Sequence, residues 1–262
     1  MKGKLFLIPT LLAEQTGDEV LPSSVKAVVK GIDYFLCENV RTARRFVSSL
    51  KVHPEIGSIQ FEVLDKETKV EELSNLMKPL DDGRNVGVLS ESGCPGIADP
   101  GALAVRYAHQ NGVRVVPLVG PSSILLALMA SGLNGQQFAF HGYLPIESKA
   151  AIQTIRVLER ESKEKNQTQI FIETPFRNNK MLSNLLKALQ PDTSLCVASN
   201  LTSAEEKIIC QEVVLWKKKR CWDFFKSWRT LFPENHFLAN DFLLSGSQID
   251  CNTQRSVGLK RL

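Results

Sequence analysis

The sequence predicts an α/β protein of two domains, each a mostly parallel or mixed sheet flanked by helices. Three observations predict it. Short apolar strands alternate with amphipathic segments through the first half of the chain, the order that places helices on the faces of a parallel sheet. Several of these strands run into turns rich in glycine and proline, the residues that break regular structure. After about Leu133 the helices become longer and more charged while the alternation continues.

Residues 4–8 read as the first strand, ended by Pro9. Residues 20–30 read as a helix with Pro22 in its first turn, where an N–H has no partner to lose. The second strand is 33–37, followed by the polar Glu38-Asn39-Val40-Arg41-Thr42 and a basic helix. Strands at 60–64 and 85–89 flank a helix at 70–78. A helix at 102–110 stops at Asn111-Gly112, strand 113–119 follows, and the apolar helix 123–129 is closed by Gly132. Strands 138–143, 168–173 and 194–199 enclose helices 148–165 and 178–189, and 206–216 reads as one more strand. The expected organisation is an N-terminal domain over 1–118, a C-terminal domain over 119–225 and a tail over 226–262. From about Lys217 no period of 2 or 3.6 is visible, and Lys217-Lys218-Lys219-Arg220 reads as a solvated charge run. Removing residues from about 225 onward is therefore expected to cost little stability.

At 262 residues the chain is long enough for two ordinary cores. Its 43% hydrophobic and 23% charged residues match a soluble globular protein. No apolar run reaches the roughly 18–20 residues of a membrane span. The nearest, 113–133, is broken by Pro117, Gly120 and Pro121. The opening MKGKLFLIPT reads as a strand, not a secretion signal, so a cytoplasmic protein without membrane association is expected. Six cysteines lack CxxC spacing and read as reduced, small hydrophobes. Four histidines show no ligand spacing, so no metal is expected. A net charge of +4 tolerates an anionic partner.

The familiar nucleotide and nucleophile signatures are missing. No GxGxxG follows the first strand, and neither GxxxxGK[ST] nor GxSxG occurs. Three turns remain, each at the C-terminal end of a predicted strand, where open parallel sheets bind ligands. They are Ile8-Pro9-Thr10, the long Leu89-Ser90-Glu91-Ser92-Gly93-Cys94-Pro95-Gly96-Ile97-Ala98-Asp99-Pro100-Gly101, and Pro117-Leu118-Val119-Gly120-Pro121-Ser122-Ser123. Glycines permit close backbone approach and prolines stiffen the turn, which suits a flat polar ligand such as an adenosine.

In this order, with Glu38-x-x-Arg41-Thr42, Gly142-Tyr143-Leu144-Pro145, Glu173-Thr174-Pro175-Phe176-Arg177 and Asn200-Leu201-Thr202, the motifs resemble the tetrapyrrole-methylase superfamily over residues 4 to about 216. They are most similar to its branch of ribosomal RNA 2′-O-methyltransferases. The resemblance implies a two-domain tetrapyrrole-methylase-like fold, a homodimer, and S-adenosyl-L-methionine in the interdomain cleft. It implies cofactor contacts from Pro9, Ser92, Gly93, Cys94, Ile97, Ser122, Ser123 and Thr174. The implied substrate is ribosomal RNA in the small subunit. Glu38 is the candidate catalytic acid or base, with pairing to Arg41 or Arg44 as its alternative role. Arg41, Arg44, Arg45 and Lys149 are candidates for phosphate contacts, or else a solvated helix face. The sequence departs from the family pattern at Ala13-Glu14-Gln15, at Cys94, at Ala150-Ala151, at Phe176 where the family has histidine, and in lacking a final apolar strand after Trp216. Two alternatives stay open: C-methylation of a tetrapyrrole or corrinoid precursor, and a catalytically inactive RNA-binding paralogue.

Overall fold

The structure, a computed structural model, describes residues 2–218 and 240–245. The described residues form two units: the chain up to Ser123 together with Asn200–Glu206, and Ile124–Ser199 together with the described residues from Lys207 onward.

The first unit is built on five parallel strands: β1 (Lys4–Ile8), β2 (Tyr34–Cys37), β3 (Gln60–Val63), β4 (Val86–Leu89) and β5 (Arg114–Pro117). Their order across the sheet is β3-β2-β4-β1-β5. Between them run α1 (Gly17–Val20), α2 (Ser23–Lys30), α3 (Val40–Ser49), α4 (Val70–Asp81) and α5 (Gly101–Gln110). The expected helix at 20–30 is thus two helices, because Leu21 is extended and Pro22 begins a new first turn. Strand β2 is buried at all four positions, the continuous apolar pattern of a central parallel strand. One face of the sheet packs Val25 and Val29 of α2 and Ala43 and Val47 of α3 against Ile8, Phe35 and Leu89. The other packs Leu73, Met77 and Leu80 of α4 and Ala104 and Ala108 of α5 against Leu5, Leu36 and Val88. The sheet is therefore doubly wound. From β1 the chain leads toward β2 and β3; from β4 it leads back across β1 to β5. The winding reverses between β1 and β4, and in such sheets the crevice outside the strand ends at the reversal is the place for a ligand.

The second unit holds α6 (Ser123–Ser131, apart from its first residue), β6 (Phe138–Tyr143), α7 (Ser148–Lys165), β7 (Thr168–Glu173), α8 (Asn178–Ala188), β8 (Ser194–Ser199), β9 (Lys207–Glu212), α9 (Val213–Lys218) and β10 (Asn240–Ser245). Its sheet runs β6-β7-β10-β8-β9, with β6 and β7 parallel and the other neighbours antiparallel. The core joins Ile155 and Leu158 of α7 and Leu185 of α8 to Phe171, Leu195, Val197 and Trp216.

Two expectations are corrected here. The segment 206–216 is not one strand: β9 stops at Glu212 and α9 begins. Helical spacing puts Val213 and Trp216 on one inward face, and the Trp216 indole N–H donates to the Leu195 carbonyl at 2.9 Å. The final apolar strand is also not missing. Strand β10 lies in the middle of the sheet, between β7 and β8, with Leu243 fully buried. A strand in the middle of a sheet reads as a short apolar run, here Phe-Leu-Leu, and gives no alternation to detect. The charge run reaches the described residues only at Lys217 and Lys218, and apart from β10 the tail lies outside them.

Candidate functional site

Loops from β1, β4 and β5 meet at the C-terminal edge of the first sheet, two of them beside the winding reversal. Gly93 joins them. Its carbonyl accepts from the Thr10 N–H at 2.9 Å and the Ser90 hydroxyl at 3.0 Å. Its φ is +73°, and a Cβ there would meet Leu12 at 3.2 Å and the Pro121 carbonyl at 3.3 Å. Cys94 points its thiol at the same Pro121 carbonyl, 3.4 Å away, and burial pushes that thiol's pKa up. Gly120 lies against the Pro9 ring, where any Cβ would stand 2.2 Å from it. The fit between these loops needs backbone at two positions and leaves no room for side chains.

Sequence-predicted residues Pro9, Gly93 and Cys94 are thus drawn together, Gly93 and Cys94 against Pro121 and Pro9 against the adjoining Gly120. Ser92 is half-buried beside them, with its hydroxyl 3.5 Å from the Leu11 carbonyl. Ser122 and Ser123 are half-buried at the start of α6, and Ile97 is exposed on the long loop. Thr174 belongs to the second unit, at the end of β7, where its N–H donates to Glu173 at 2.7 Å. Glu173 is buried and also accepts a hydrogen bond from the Arg177 Nε–H at 2.6 Å, with Nη2 of the same guanidinium in ion-pair contact with the same oxygen.

The carboxylates carry the most pronounced electrostatics. Glu38 follows β2 and hydrogen-bonds to Asp99 of the long loop. Burial first, then the charges of Asp99 and Glu91, push Glu38 up to about 7. Burial also raises Asp99 and Glu91. Asp99 is fixed by the backbone N–H groups of Gly96 and Gly101, at 2.9 and 2.6 Å, and Glu91 accepts from the Thr42 hydroxyl at 3.2 Å. Sequence reading finds Glu38 but not Asp99, 61 positions away; the only local signal is an aspartate placed to take N–H bonds within the loop that opens α5.

Because Glu38 titrates higher in the folded chain, its proton stabilises the fold. That contribution is fully present below the ordinary value of 4.5 and is lost as pH rises through about 7. Glu38→Gln, which cannot ionise, should flatten the decline in melting temperature between pH 5 and 8. Parallel wild-type and variant profiles would remove the shift.

The basic residues do not share one role. Asn39 caps α3, its side chain accepting from the N–H groups of Arg41 and Thr42 at 2.9 and 3.3 Å. On that helix Arg45 pairs with Glu14 at 3.0 Å, and Arg44 lies over the Phe61 ring, 5.5 Å from its centroid. Arg41 is exposed and has no ion-pair partner among the described residues. Lys149 is exposed in the first turn of α7, in the second unit.

A doubly wound sheet with tight glycine-proline loops at its reversal, followed by a mixed α/β unit, defines a class of α/β proteins that take small ligands outside the carboxyl ends of their strands. The chain belongs to the tetrapyrrole (corrin/porphyrin) methylases: that family's sequence profile matches residues 18–213. It is an S-adenosylmethionine-dependent methyltransferase. Similar proteins include the ribosomal RNA small subunit methyltransferase I of Escherichia coli O157:H7, 28% identical over 83% of this chain and 73% of that protein. The protein of the same name from Vibrio cholerae is 31% identical over 78% and 67%. Among solved structures, the methyltransferase CobJ superposes with a TM-score of 0.56 at 15% identity, covering 93% of this chain and 94% of that one. The uroporphyrin-III-C-methyltransferase of Thermus thermophilus gives 0.50 at 17%, covering 94% and 93%. Both structures share the fold.

The first unit's residues fit the cofactor's chemistry. Three carboxyls raised by burial form a corner that a sulfonium and an ammonium group would relieve, and exposed Ile97 and Val119 offer apolar surface beside the loops.

Proposed function

We propose that the chain methylates the 2′-hydroxyl of a ribose in small-subunit ribosomal RNA. The observation that carries this reading is the likeness to ribosomal RNA methyltransferases over about four fifths of the chain. Pro9, Ser92, Gly93, Cys94, Ile97, Ser122 and Ser123 are the first unit's candidates for holding S-adenosylmethionine, and Thr174 is the second unit's. The bound cofactor supplies an electrophilic methyl group on a good leaving group, so most of the rate comes from holding the reactants in line. Glu38, ionised above about pH 7 and oriented by Asp99, is the candidate base for the hydroxyl proton. The reading places the protein in the cytoplasm, with its substrate, and as a homodimer. Leu125 and Met129, four apart on α6, expose an apolar face that a second copy would cover.

The test is transfer of labelled methyl groups to small ribosomal subunits that lack the modification, with a tetrapyrrole precursor as a parallel acceptor. Alkali-resistant label in ribose is expected; label only in the tetrapyrrole overturns the RNA reading. In the same assay Arg41→Ala should weaken RNA binding and reduce the log–log salt slope by about one unit, as the loss of one phosphate contact does. Arg44→Ala and Arg45→Ala, whose side chains have partners within the chain, should do less. Unchanged affinity and slope in Arg41→Ala would assign α3 to solvent alone.

A further inference from the structure

Strands β6 and β7 are parallel neighbours, with Tyr143 opposite Ile172, so their C-terminal ends open on one edge of the second sheet. Three large apolar side chains are displayed there. Tyr143 is 53% exposed, Ile146 72% and Phe176 93%. A single exposed apolar residue means little, but three at one edge make a patch. The loop that presents Phe176 is rigid from below. The buried Glu173 carboxylate takes the Arg177 Nε–H bond, the ion pair with the same guanidinium and the Thr174 N–H, and the Arg177 backbone N–H donates to the Thr174 carbonyl at 3.0 Å. The neighbouring loop is tied to it, since the Lys180 ammonium donates to the Ile146 carbonyl at 3.1 Å.

The charges at this edge are also sorted. Glu173 is engaged by Arg177. Glu147 caps α7, accepting from the N–H groups of Lys149 and Ala150 at 3.0 and 2.9 Å. Lys149 and Lys180 are exposed and in no ion pair among the described residues. Aromatic faces fixed in solvent beside unneutralised lysines are the combination that holds unpaired nucleotides: bases stack on the rings and phosphates meet the ammonium groups.

We infer that the β6–β7 edge of the second unit is a platform for unpaired RNA, with Phe176 and Tyr143 stacking bases and Lys149 and Lys180 contacting the backbone. This rests on the RNA reading above and deepens it, by making the substrate region single-stranded at the point of contact.

The test uses the full chain and single-stranded RNA oligonucleotides carrying 2-aminopurine at successive positions. Wild-type protein should quench the fluorescence of at least one position. Phe176→Ala should lose that quench and bind about 5- to 150-fold more weakly, the range for one lost stacked base. Phe176→Trp should restore both. Cofactor affinity and sedimentation should match the wild type in each variant. Undiminished RNA affinity in Phe176→Ala overturns the platform; so does a loss of cofactor affinity, which would make the ring a cofactor contact, or of dimers, which would make it a subunit contact. If wild-type protein methylates ribosomal RNA while Phe176→Ala does so equally well, only the platform fails. If neither RNA binding nor methylation is found for the wild type, the RNA reading itself has failed.

Discussion

Removing β10 is expected to unfold the second unit. The strand pairs with β7 from Asn240↔Glu173 to Leu244↔Gln169, and with β8 from Asp241↔Ala198 to Ser245↔Ser194. A chain ending after Lys218 would leave the facing edges of β7 and β8 unpaired at the centre of the sheet. Those edges would face water, each lost ladder bond costing about 0.5–1.5 kcal/mol net, and the fully buried Leu243 would leave the core. Together these losses reach the roughly 5–15 kcal/mol that holds a domain together. The truncated protein should lose the second unit's cooperative melting transition and aggregate through its open edges. Leu243→Ala provides the graded version. A fully buried leucine cut to alanine costs about 2–5 kcal/mol. Its denaturant midpoint should fall with little change in slope. A truncation that melts like the wild type would remove β10 from the core.

Gly93→Val should abolish binding of S-adenosylmethionine, with no calorimetric heat even at millimolar ligand. Valine at φ +73° costs about 1–3 kcal/mol in backbone strain. Its Cβ alone would stand 3.2 Å from Leu12 and 3.3 Å from Pro121, and the added methyls need more room still. Something must shift, and the Gly93 carbonyl is what Thr10 and Ser90 hold. The damage is confined to the loops, since β1 and β4 below them keep their own pairing. The variant should therefore still melt cooperatively, at a lower temperature. Wild-type affinity in a folded Gly93→Val protein would move the cofactor away from these loops.

Much of the scaffold is written locally. Strands 138–143, 168–173 and 194–199 and helix 148–165 have the same bounds in the sequence reading and in the structure. Apolar periodicity, Asn39 as a cap and glycine or proline at the ends act within a turn or two of the chain, so inspection of neighbours finds them. The three loops are legible for the same reason: their composition announces backbone that must turn tightly. The alternation of strands and helices in turn leads to a parallel first sheet, and the motifs those loops spell carry the resemblance to a family.

What tertiary structure alone decides is which distant pieces meet. Nothing in residues 4–8 and 86–89 says that they are neighbours, yet that pairing puts the reversal of winding under the Pro9 and Gly93 loops. Glu38 is an ordinary glutamate until burial and Asp99 raise it to about 7. Arg44 and Arg45, adjacent in a basic run, are separated in role by Phe61 and Glu14. Strand β10 has too short an apolar run to be found, and it becomes central only because β7 and β8 leave a gap between them. Sequence patterns report the period and the punctuation of the chain, which are local. Strand pairing, desolvation and charge coupling depend on contacts between residues tens of positions apart, and those exist only once the chain has folded.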